Sequence, residues 1–348
     1  MDKKESKVIP QFGNHSGMRT ITLEEHYASP TFMEGPGKQL KIQAQAARDH
    51  PEVAAGFAML LDQLMDVDED RIKEMDKAGI DMQVLSLTSP GVEQLEASAA
   101  VDLAQDANDF LSDAVKLHPD RFAGFATLPT AAPDTAADEL ERMVKENDFL
   151  GGVINGHING RYLDDEFFWP ILERAEALNV PLYLHPTPPP QPVIEASYTG
   201  NYSPQVTAGL ASGGWGWHIE TAIHILRIIL SGVFDHYPNL QFIIGHMGET
   251  LPFMLPRIDR TLPREMTKLK RSIGAYLQEN VNYTFSGFNY TQTFLDLLLE
   301  VGVDRIMFSA DYPYSSMTQA RAFLDQLPVS TMDKERIAHG NAERLLGL

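Results

Sequence analysis

Residues 20–30, TITLEEHYASP, begin as a β-strand and run into three ionisable groups. Thr20–Leu23 is a β-branched and apolar run typical of a buried strand. Glu24, Glu25 and His26 follow directly at its carboxyl end. Because side chains alternate across a strand, we expect Glu24 and His26 on one face and Glu25 on the other. The stretch therefore predicts a core strand that ends in a carboxylate–imidazole pair.

The composition of the chain is that of a globular protein. Of its 348 residues, 43% are hydrophobic and 22% are charged, which allows one large domain or two. Acidic residues number 48 against 28 Lys and Arg, and the net charge of −20 repels polyanions. Nucleic acid is therefore excluded as an expected partner. The absence of cysteine excludes disulfides, thiolate metal sites and thiol nucleophiles.

The N-terminus shows no targeting signal. The first eighteen residues, MDKKESKVIPQFGNHSGM, lack the apolar segment of a signal peptide, and no apolar run approaches eighteen residues. We therefore predict a soluble cytoplasmic protein with no membrane association. Residues 1–18 are expected to form a flexible arm, and residues 19–348 the folded domain.

Short β-rich runs alternate with longer amphipathic segments along the rest of the chain. Residues 60–79, LLDQLMDVDEDRIKEMDKAG, are one such segment with apolar side chains near helical spacing. Eight repeats of this β-then-α pattern favour a closed (β/α)8 TIM barrel over an open doubly wound sheet, which remains the alternative. The usual glycine-rich nucleotide motifs of open sheets are missing. The expected strands are Thr20–Glu24, Met82–Leu87, Phe122–Leu128, Gly151–Asn155, Pro181–His185, Gln241–Gly245, Val281–Ser286 and Arg305–Ser309.

Two segments break this rhythm. Residues 32–56 carry few β signals, and residues 186–217 form a Pro-, Gly- and aromatic-rich insertion after the fifth strand. A long irregular segment at that end of a barrel strand is a place for a substrate lid or an oligomer contact. The alternative is a packed surface loop without chemistry.

Polar side chains end four of the eight expected strands. Each alone has an ordinary explanation, such as a hydrogen-bonded histidine or a helix-capping aspartate. Together they would meet at the carboxyl face of a barrel, where active sites of this fold are built. Imidazoles and carboxylates in such a cluster suit a divalent cation, with open positions for water or substrate. The residues are Glu24 and His26, His185, His246 with Glu249 three residues on, and Asp311.

Five motifs carry a resemblance to a known family. They are LEEH (23–26), HPDRFAGFATLP (118–129), VPLYLHP (180–186), GHMGETLPFMLPRID (245–259) and DRIMFSADYPY (304–314). In them the chain resembles the amidohydrolase superfamily, specifically its metal-dependent, non-oxidative decarboxylases. These include the γ-resorcylate, 2,3-dihydroxybenzoate and 5-carboxyvanillate decarboxylases and, more distantly, aminocarboxymuconate semialdehyde decarboxylase. The resemblance covers nearly the whole chain from about Arg19.

The first motif separates two branches of that superfamily. Most amidohydrolases open with His-x-His, whereas Glu24-Glu25-His26 is the Glu-x-His version of the benzoate-type decarboxylases. The resemblance implies that Glu24, His26, His185 and Asp311 ligate one divalent metal ion. Because a carboxylate replaces one imidazole, the harder Mn²⁺ is favoured and Zn²⁺ is the next candidate.

The resemblance also implies roles around the metal. Asp311 would donate a proton to the ring, with His246 and Glu249 deprotonating or orienting the substrate. Arg257 matches the substrate-carboxylate arginine of the family, and Arg71 is a second candidate for the same role. For both arginines an ordinary place on a helix surface is the alternative.

Aromatic and polar residues near the expected barrel mouth have open roles. Tyr314, Trp215 and Trp217 are candidates to stack on an aromatic acid, with a core or interface role as the alternative for the tryptophans. His157 and Asn155 follow the fourth strand, where His157 is expected to be a solvated loop residue. The family suggests a homodimer or a homotetramer.

The implied reaction is decarboxylation of an ortho-hydroxy aromatic carboxylic acid, a small aromatic carboxylate. Direct loss of CO₂ would leave an aryl carbanion in the ring plane, so protonation of the carboxyl-bearing carbon must come first. The alternative within the superfamily is a metal-dependent hydrolase or hydratase acting on a lactone, an amide or an unsaturated acid. A metal-free binding or scaffold barrel is the alternative outside it.

Overall fold

Eight parallel strands form the centre of the molecule. The computed structural model describes residues 17–46 and 51–348, so residues 1–16 of the predicted arm lie outside the described residues. All eight expected strands are confirmed, the third with an interruption at Phe125. The strands are β1 (Ile21–Tyr27), β2 (Met82–Leu87), β3 (Phe122–Gly124 and Ala126–Thr127), β4 (Gly152–Asn155), β5 (Leu182–His185), β6 (Phe242–Ile244), β7 (Val281–Thr284) and β8 (Ile306–Met307).

Backbone hydrogen bonds close the strands into a ring. Neighbouring strands pair in parallel and in chain order from β1 to β8. Across the interruption in β3, Phe125 N donates to Leu85 O at 2.9 Å. The ring closes where Leu23 N donates to Phe308 O at 3.2 Å and His26 N to Tyr312 O at 2.7 Å. The predicted TIM barrel is therefore confirmed, and the open sheet is excluded.

Helices surround the barrel, and several begin at serine caps. Ser29 accepts from Phe32 N, Ser203 from Val206 N and Ser316 from Gln319 N. Helices also occupy much of residues 32–56, where the sequence showed only weak β signals. No helix in the described ranges is both long and apolar enough to cross a membrane. The helices are α1 (Pro30–Glu34), α2 (Lys38–Ala46), α3 (Pro51–Met65), α4 (Glu69–Ala78), α5 (Ala97–Leu117), α6 (Pro133–Asn147), α7 (Trp169–Leu178), α8 (Gln191–Val193), α9 (Pro204–Ala211), α10 (Gly216–Leu230), α11 (Val233–His236), α12 (Leu251–Thr261), α13 (Arg264–Thr267), α14 (Ile273–Glu279), α15 (Thr291–Val301), α16 (Met317–Asp325), α17 (Thr331–Glu335) and α18 (Asn341–Leu346).

Strand side chains form two apolar layers. Inward-facing residues fill the barrel, and outward-facing residues pack under the helices, as the two-residue period of a strand requires. Burying each large aliphatic side chain contributes about 1.5–3 kcal/mol. The inner layer contains Ile21, Leu23, Val84, Phe125, Val153, Tyr183, Ile243 and Met307, and the outer layer contains Leu85, Leu87, Leu182, Leu184, Phe242 and Ile244.

A β-bulge decides which acidic side chain of β1 enters the barrel mouth. Ile21 and Leu23 point inward, so uninterrupted alternation would also send Glu25 inward. The pairing register with β2 instead shifts between Thr22 and Glu25, and Glu24 adopts φ 64°. The extra residue reverses the alternation and turns Glu24 inward. The predicted division of the pair is correct, but a bulge produces it rather than simple alternation.

Glu25 faces outward yet is completely buried. Its carboxylate accepts from Ala310 N at 2.8 Å, from Tyr312 N at 3.1 Å and from Gln83 Nε2 at 3.3 Å. Burial raises the pKa of Glu25 to about 8 although these backbone N–H groups oppose the shift. Glu25 therefore ties β1 to the segment that follows β8, the segment that carries Asp311.

We predict that Glu25→Ala destabilises the barrel at this closure. The substitution leaves the Ala310 and Tyr312 amides buried and unpaired, at about 1–3 kcal/mol each. The free energy of unfolding, measured by urea denaturation, should fall by about 2–5 kcal/mol. The exposed Glu335→Ala is the matched control and should stay within about 0.5 kcal/mol of the parent. A loss below about 1 kcal/mol for Glu25→Ala would contradict this account.

Candidate metal and active site

The Glu24 carboxylate lies at the centre of the barrel mouth and is 1% exposed. Its Oε2 accepts hydrogen bonds from the hydroxyls of Tyr183 and Ser286. Its Oε1 has no hydrogen-bond partner among the described groups and faces two imidazoles, 3.3 Å from His185 Nε2 and 3.8 Å from His246 Nε2. One oxygen is thus held by neutral donors, and the other is left for a ligand.

Three of the four predicted metal ligands meet at this carboxylate, and the fourth lies beside them. Ligand atoms of Glu24, His26 and His185 all lie within 4.8 Å of one another. His26 Nε2 is 3.0 Å from Asp311 Oδ1, which brings the fourth ligand to the same place. The rings of His26 and His185 meet edge to face at 4.8 Å. Two imidazole nitrogens and two carboxylates fit a divalent cation, and Asp311, 15% exposed, lies on the open side of the cluster.

Burial and mutual contact set the charges of this cluster. Burial lowers the pKa of His26 to about 4, which keeps its ring neutral and able to bind a metal. Burial also raises the pKa of Asp311 well above its ordinary value, and the Glu24 carboxylate adds to the rise. For Glu24 burial again acts to raise the pKa, but His246 and His185 outweigh it and hold the pKa below its usual value. A bound cation would compensate both carboxylates.

Unusual backbone conformations aim these side chains. Glu24, His246, Glu249 and Asp311 all have φ between 50° and 64°, a region that costs a non-glycine residue about 1–3 kcal/mol. Gly245 allows the close approach of Glu24, because an added Cβ would lie 2.2 Å from Glu24 Oε2. The backbone at these residues therefore departs from the most stable geometry in order to direct their side chains into the site.

A second buried cluster lies beside the first. His246 Nδ1 is 2.7 Å from Glu249 Oε1, so the two residues predicted to act together are in contact. Burial lowers the pKa of His246, but the Glu249 and Glu24 carboxylates outweigh burial and raise this pKa to about 10. For Glu249 burial acts to raise the pKa, but His246 and His218 outweigh it and lower the pKa. This pair forms a charged dyad at the edge of the mouth.

His218, which no sequence pattern singled out, completes the second cluster. His218 Nδ1 is 2.5 Å from Glu249 Oε2, and its ring lies 4.7 Å from the His246 ring. Helical spacing could have predicted its burial, because His218, Ala222 and Ile225 share the buried face of α10. The hydroxyl partners of Glu24, on β5 and after β7, were missed as well.

The predicted substrate-binding residues lie in different places. Tyr314 is 43% exposed at the rim, its ring lies 5.3 Å from the His26 ring, and its hydroxyl is 2.6 Å from Thr88 Oγ1. Arg257 is exposed on α12 and takes part in none of the contacts described above. Tyr314 is thus brought to the site, whereas the substrate-binding role of Arg257 stays a prediction.

Arg71 is not on a helix surface, which was the alternative to its predicted role in binding the substrate carboxylate. It is fully buried in α4, where Nε donates to Gln83 Oε1 at 2.7 Å and Nη1 to His26 O at 2.8 Å. Gln83 belongs to the outer side of β2, so Arg71 lies behind β1 and outside the barrel mouth. The Arg71 guanidinium therefore binds the backbone carbonyl of His26 and does not point toward a substrate.

Two other candidates have structural contacts. His157 is buried rather than solvated, and its Nδ1 accepts from Gly160 N at 3.0 Å. Trp217 Nε1 donates to His218 Nε2 at 3.0 Å, whereas Trp215 is 49% exposed. Asn155 is fully buried at the end of β4. The indole of Trp217 therefore contacts the second cluster directly.

Comparison with known proteins places this barrel in a family. Residues 47–348 match the amidohydrolase family model, and the chain belongs to that family. A γ-resorcylate decarboxylase from Polaromonas sp. strain JS666 is 39% identical over 342 residues, covering 94% of this chain and 98% of the relative.

Two solved structures of the family are similar along nearly their whole length. A dihydroxybenzoic acid decarboxylase from Polaromonas sp. JS666, with bound manganese and the inhibitor 2-nitroresorcinol, has a TM-score of 0.84 and 38% identity, covering 95% of this chain and 97% of that one. A 5-carboxyvanillate decarboxylase from Novosphingobium aromaticivorans, complexed with manganese and 4-hydroxy-3-methoxy-5-nitrobenzoic acid, has a TM-score of 0.83 and 34% identity, with 95% and 97% covered.

We predict that Gly245→Ala disrupts the site without unfolding the barrel. The new Cβ would overlap Glu24 Oε2 and lie 2.6 Å from Ser286 Oγ, so the Glu24 carboxylate must move. Divalent metal retained after dialysis should fall at least about tenfold, while circular dichroism stays unchanged. Gly209→Ala in α9, where nothing lies within 4 Å of the added Cβ, is the control and should retain the metal. Full retention by Gly245→Ala would contradict the placement of Glu24.

Proposed function

We propose that this protein is a metal-dependent, non-oxidative decarboxylase of an ortho-hydroxy aromatic carboxylic acid. The observation that carries the proposal is the buried Glu24 Oε1, which faces imidazoles and has no hydrogen-bond partner among the described groups. The similar decarboxylases named above support the reaction, and two of them contain manganese. The enzyme is a carbon–carbon lyase, and its substrate is a small aromatic carboxylate.

The metal ligands in this proposal are Glu24, His26, His185 and Asp311, which hold one divalent ion. Mn²⁺ is favoured because of the two hard carboxylates, and Zn²⁺ is the next candidate. When bound, the ion lowers the pKa of the substrate's ortho-hydroxyl and compensates the charge of its carboxylate. The buried, neutral ring of His26 is already in the protonation state that ligation requires.

Asp311 supplies the proton for the bond-breaking step. The carboxyl-bearing ring carbon gains a proton from Asp311 and becomes tetrahedral, which interrupts the aromatic system. The bond to the carboxylate then breaks, its electron pair returns to the ring, and CO₂ leaves. Water returns a proton to Asp311, so the reaction consumes one proton for each CO₂ released. Asp311 Oδ1 is turned to His26, which leaves Oδ2 for proton transfer.

His246 and Glu249 orient the substrate in this scheme. The contact of His246 Nδ1 with Glu249 directs His246 Nε2 toward Glu24 and the mouth. In the charged dyad this nitrogen carries a proton, so it is placed to donate a hydrogen bond to the oxygen of the ortho-hydroxyl. Tyr314 lines the rim beside His26, and its ring provides a face for the aromatic substrate. Arg257 stays the predicted partner of the substrate carboxylate, and Arg71 is assigned to positioning His26.

A homodimer or homotetramer completes the proposal. Phe253 on α12 is 77% exposed, Leu299 on α15 is 84% exposed and Tyr290 just before α15 is 62% exposed. Large apolar side chains exposed on neighbouring elements are typical of protein interfaces. A second copy of the chain would remove them from water. The cytoplasmic location stays a prediction from the sequence.

The reaction is tested by CO₂ release from a panel of ortho-hydroxybenzoates, 2,6-dihydroxybenzoate among them, with Mn²⁺ present. At least one should release CO₂ and give the ring product with hydrogen in place of the carboxylate. Asp311→Asn, which cannot donate the proton, should lower the rate by about 10²–10⁴-fold. Asp113→Asn on the exposed face of α5 is the matched control and should leave the rate unchanged.

Two outcomes would contradict the proposal. Hydrolysis or hydration of a lactone, an amide or an unsaturated acid with no CO₂ from any benzoate would support the hydrolytic alternative. Near-parental CO₂ release by Asp311→Asn would remove Asp311 from the proton transfer.

A further inference from the structure

A line of hydrogen bonds connects the irregular insertion to the barrel mouth. Trp217 Nε1 donates to His218 Nε2 at 3.0 Å, and His218 Nδ1 lies 2.5 Å from Glu249 Oε2. The other oxygen of Glu249 is 2.7 Å from His246 Nδ1. His246 Nε2 in turn faces Glu24 Oε1 at 3.8 Å. The three inner residues, His218, Glu249 and His246, are all buried.

Trp217 determines which nitrogen of His218 carries the proton. An indole N–H is only a donor, so Nε2 of a neutral His218 must be the acceptor in this bond. The proton of the neutral ring then lies on Nδ1, where it is donated to Glu249 Oε2. The carbonyl oxygen of Gly213 lies 3.2 Å from the same nitrogen but receives no proton from it in this tautomer. Trp217 and Gly213 both belong to the 186–217 insertion.

Glu249 needs a partner on each oxygen to hold one orientation. The terminal torsion of a glutamate is broad, so a carboxylate held at one oxygen only is free to turn. A buried carboxylate oxygen without a donor is also costly. His218 supplies the donor for Oε2, which leaves Oε1 directed at His246. The Phe288 ring contacts both imidazoles edge to face, at 5.3 Å and 5.4 Å, and limits their rotation.

We propose that His218 is a positioning residue of the decarboxylation, which it serves by locking Glu249 so that His246 Nε2 points at the substrate hydroxyl. This inference rests on the proposed function and adds a residue to it. The insertion would therefore take part in the reaction through Trp217, in addition to any role as a lid or an interface.

The kinetic test compares His218→Leu with His218→Asn. Leu removes the donor, so kcat for CO₂ release should fall about 10–100-fold with KM changed less than about 3-fold, because the lost interaction matters mainly in the transition state. The side-chain nitrogen of Asn takes the place of Nδ1, so His218→Asn should recover kcat to within about 5-fold of the parent. His236→Leu, at an exposed histidine on α11, is the matched control.

A readout independent of activity is the ¹⁵N NMR spectrum of the histidine rings. The parent should show a hydrogen-bonded Nδ1 proton on His246, which His218→Leu should lose and His218→Asn should retain. If His218→Leu does not fold by circular dichroism, Trp217→Phe replaces it. Trp217→Phe removes the donor to Nε2 and should shift the His218 ring signals and lower kcat about 3–10-fold.

The outcomes separate this inference from the proposed function. An unchanged His246 signal in His218→Leu, or a kcat within about twofold of the parent, would overturn the role of His218. Failure of His218→Asn to recover kcat would overturn it too, because a packing role alone would then explain the loss. Absence of CO₂ release by the parent would contradict the proposed function, while the NMR result would still decide whether His218 positions His246.

Discussion

Burial of the Glu24 carboxylate is the constraint on which the rest of this structure depends. An ionised carboxylate removed from water is tolerated only when it is paired and hydrogen-bonded. Tyr183 and Ser286 satisfy one oxygen, and the other faces the imidazoles of His185 and His246. A cation at that oxygen supplies the charge that neutral hydroxyls cannot. The polar residues of the mouth are therefore arranged around one negative atom.

The backbone accommodates this carboxylate at several points. The β-bulge in β1 turns Glu24 inward, Gly245 leaves room for its oxygen, and Asp311 adopts the left-handed region to meet His26. The positive φ angles of Glu24 and Asp311 are unfavourable in isolation and persist because the barrel surrounds these residues. Glu25 compensates part of this cost, since it binds the amides on both sides of Asp311. Hydrogen bonds of Glu25, on the outer side of β1, thus stabilise the strained backbone of the site on the inner side.

The sequence predicted the barrel and the polar residues at its mouth because both depend on local patterns. The ligand set itself came from the family resemblance and stays a prediction. Eight β-then-α repeats and polar residues at strand ends need no knowledge of tertiary contacts. The bulge at Glu24 could not be predicted, because a one-residue shift in strand pairing has no characteristic sequence pattern. Arg71 looked like a surface residue because the burial of α4 depends on what packs over it. His218 was missed because it follows an irregular insertion, and no strand-end rule applies to a helix.

We propose different chemistry for two neighbouring clusters: Glu24, His26, His185 and Asp311 would bind the metal, with Asp311 also donating the proton. His218, Glu249 and His246 would orient the substrate hydroxyl. Anomalous diffraction from crystals grown with Mn²⁺ tests this division most directly. We predict one manganese peak at bonding distance from Glu24 Oε1 and from the other three ligands. A peak between His218 and Glu249, or no peak at Glu24, would contradict the account.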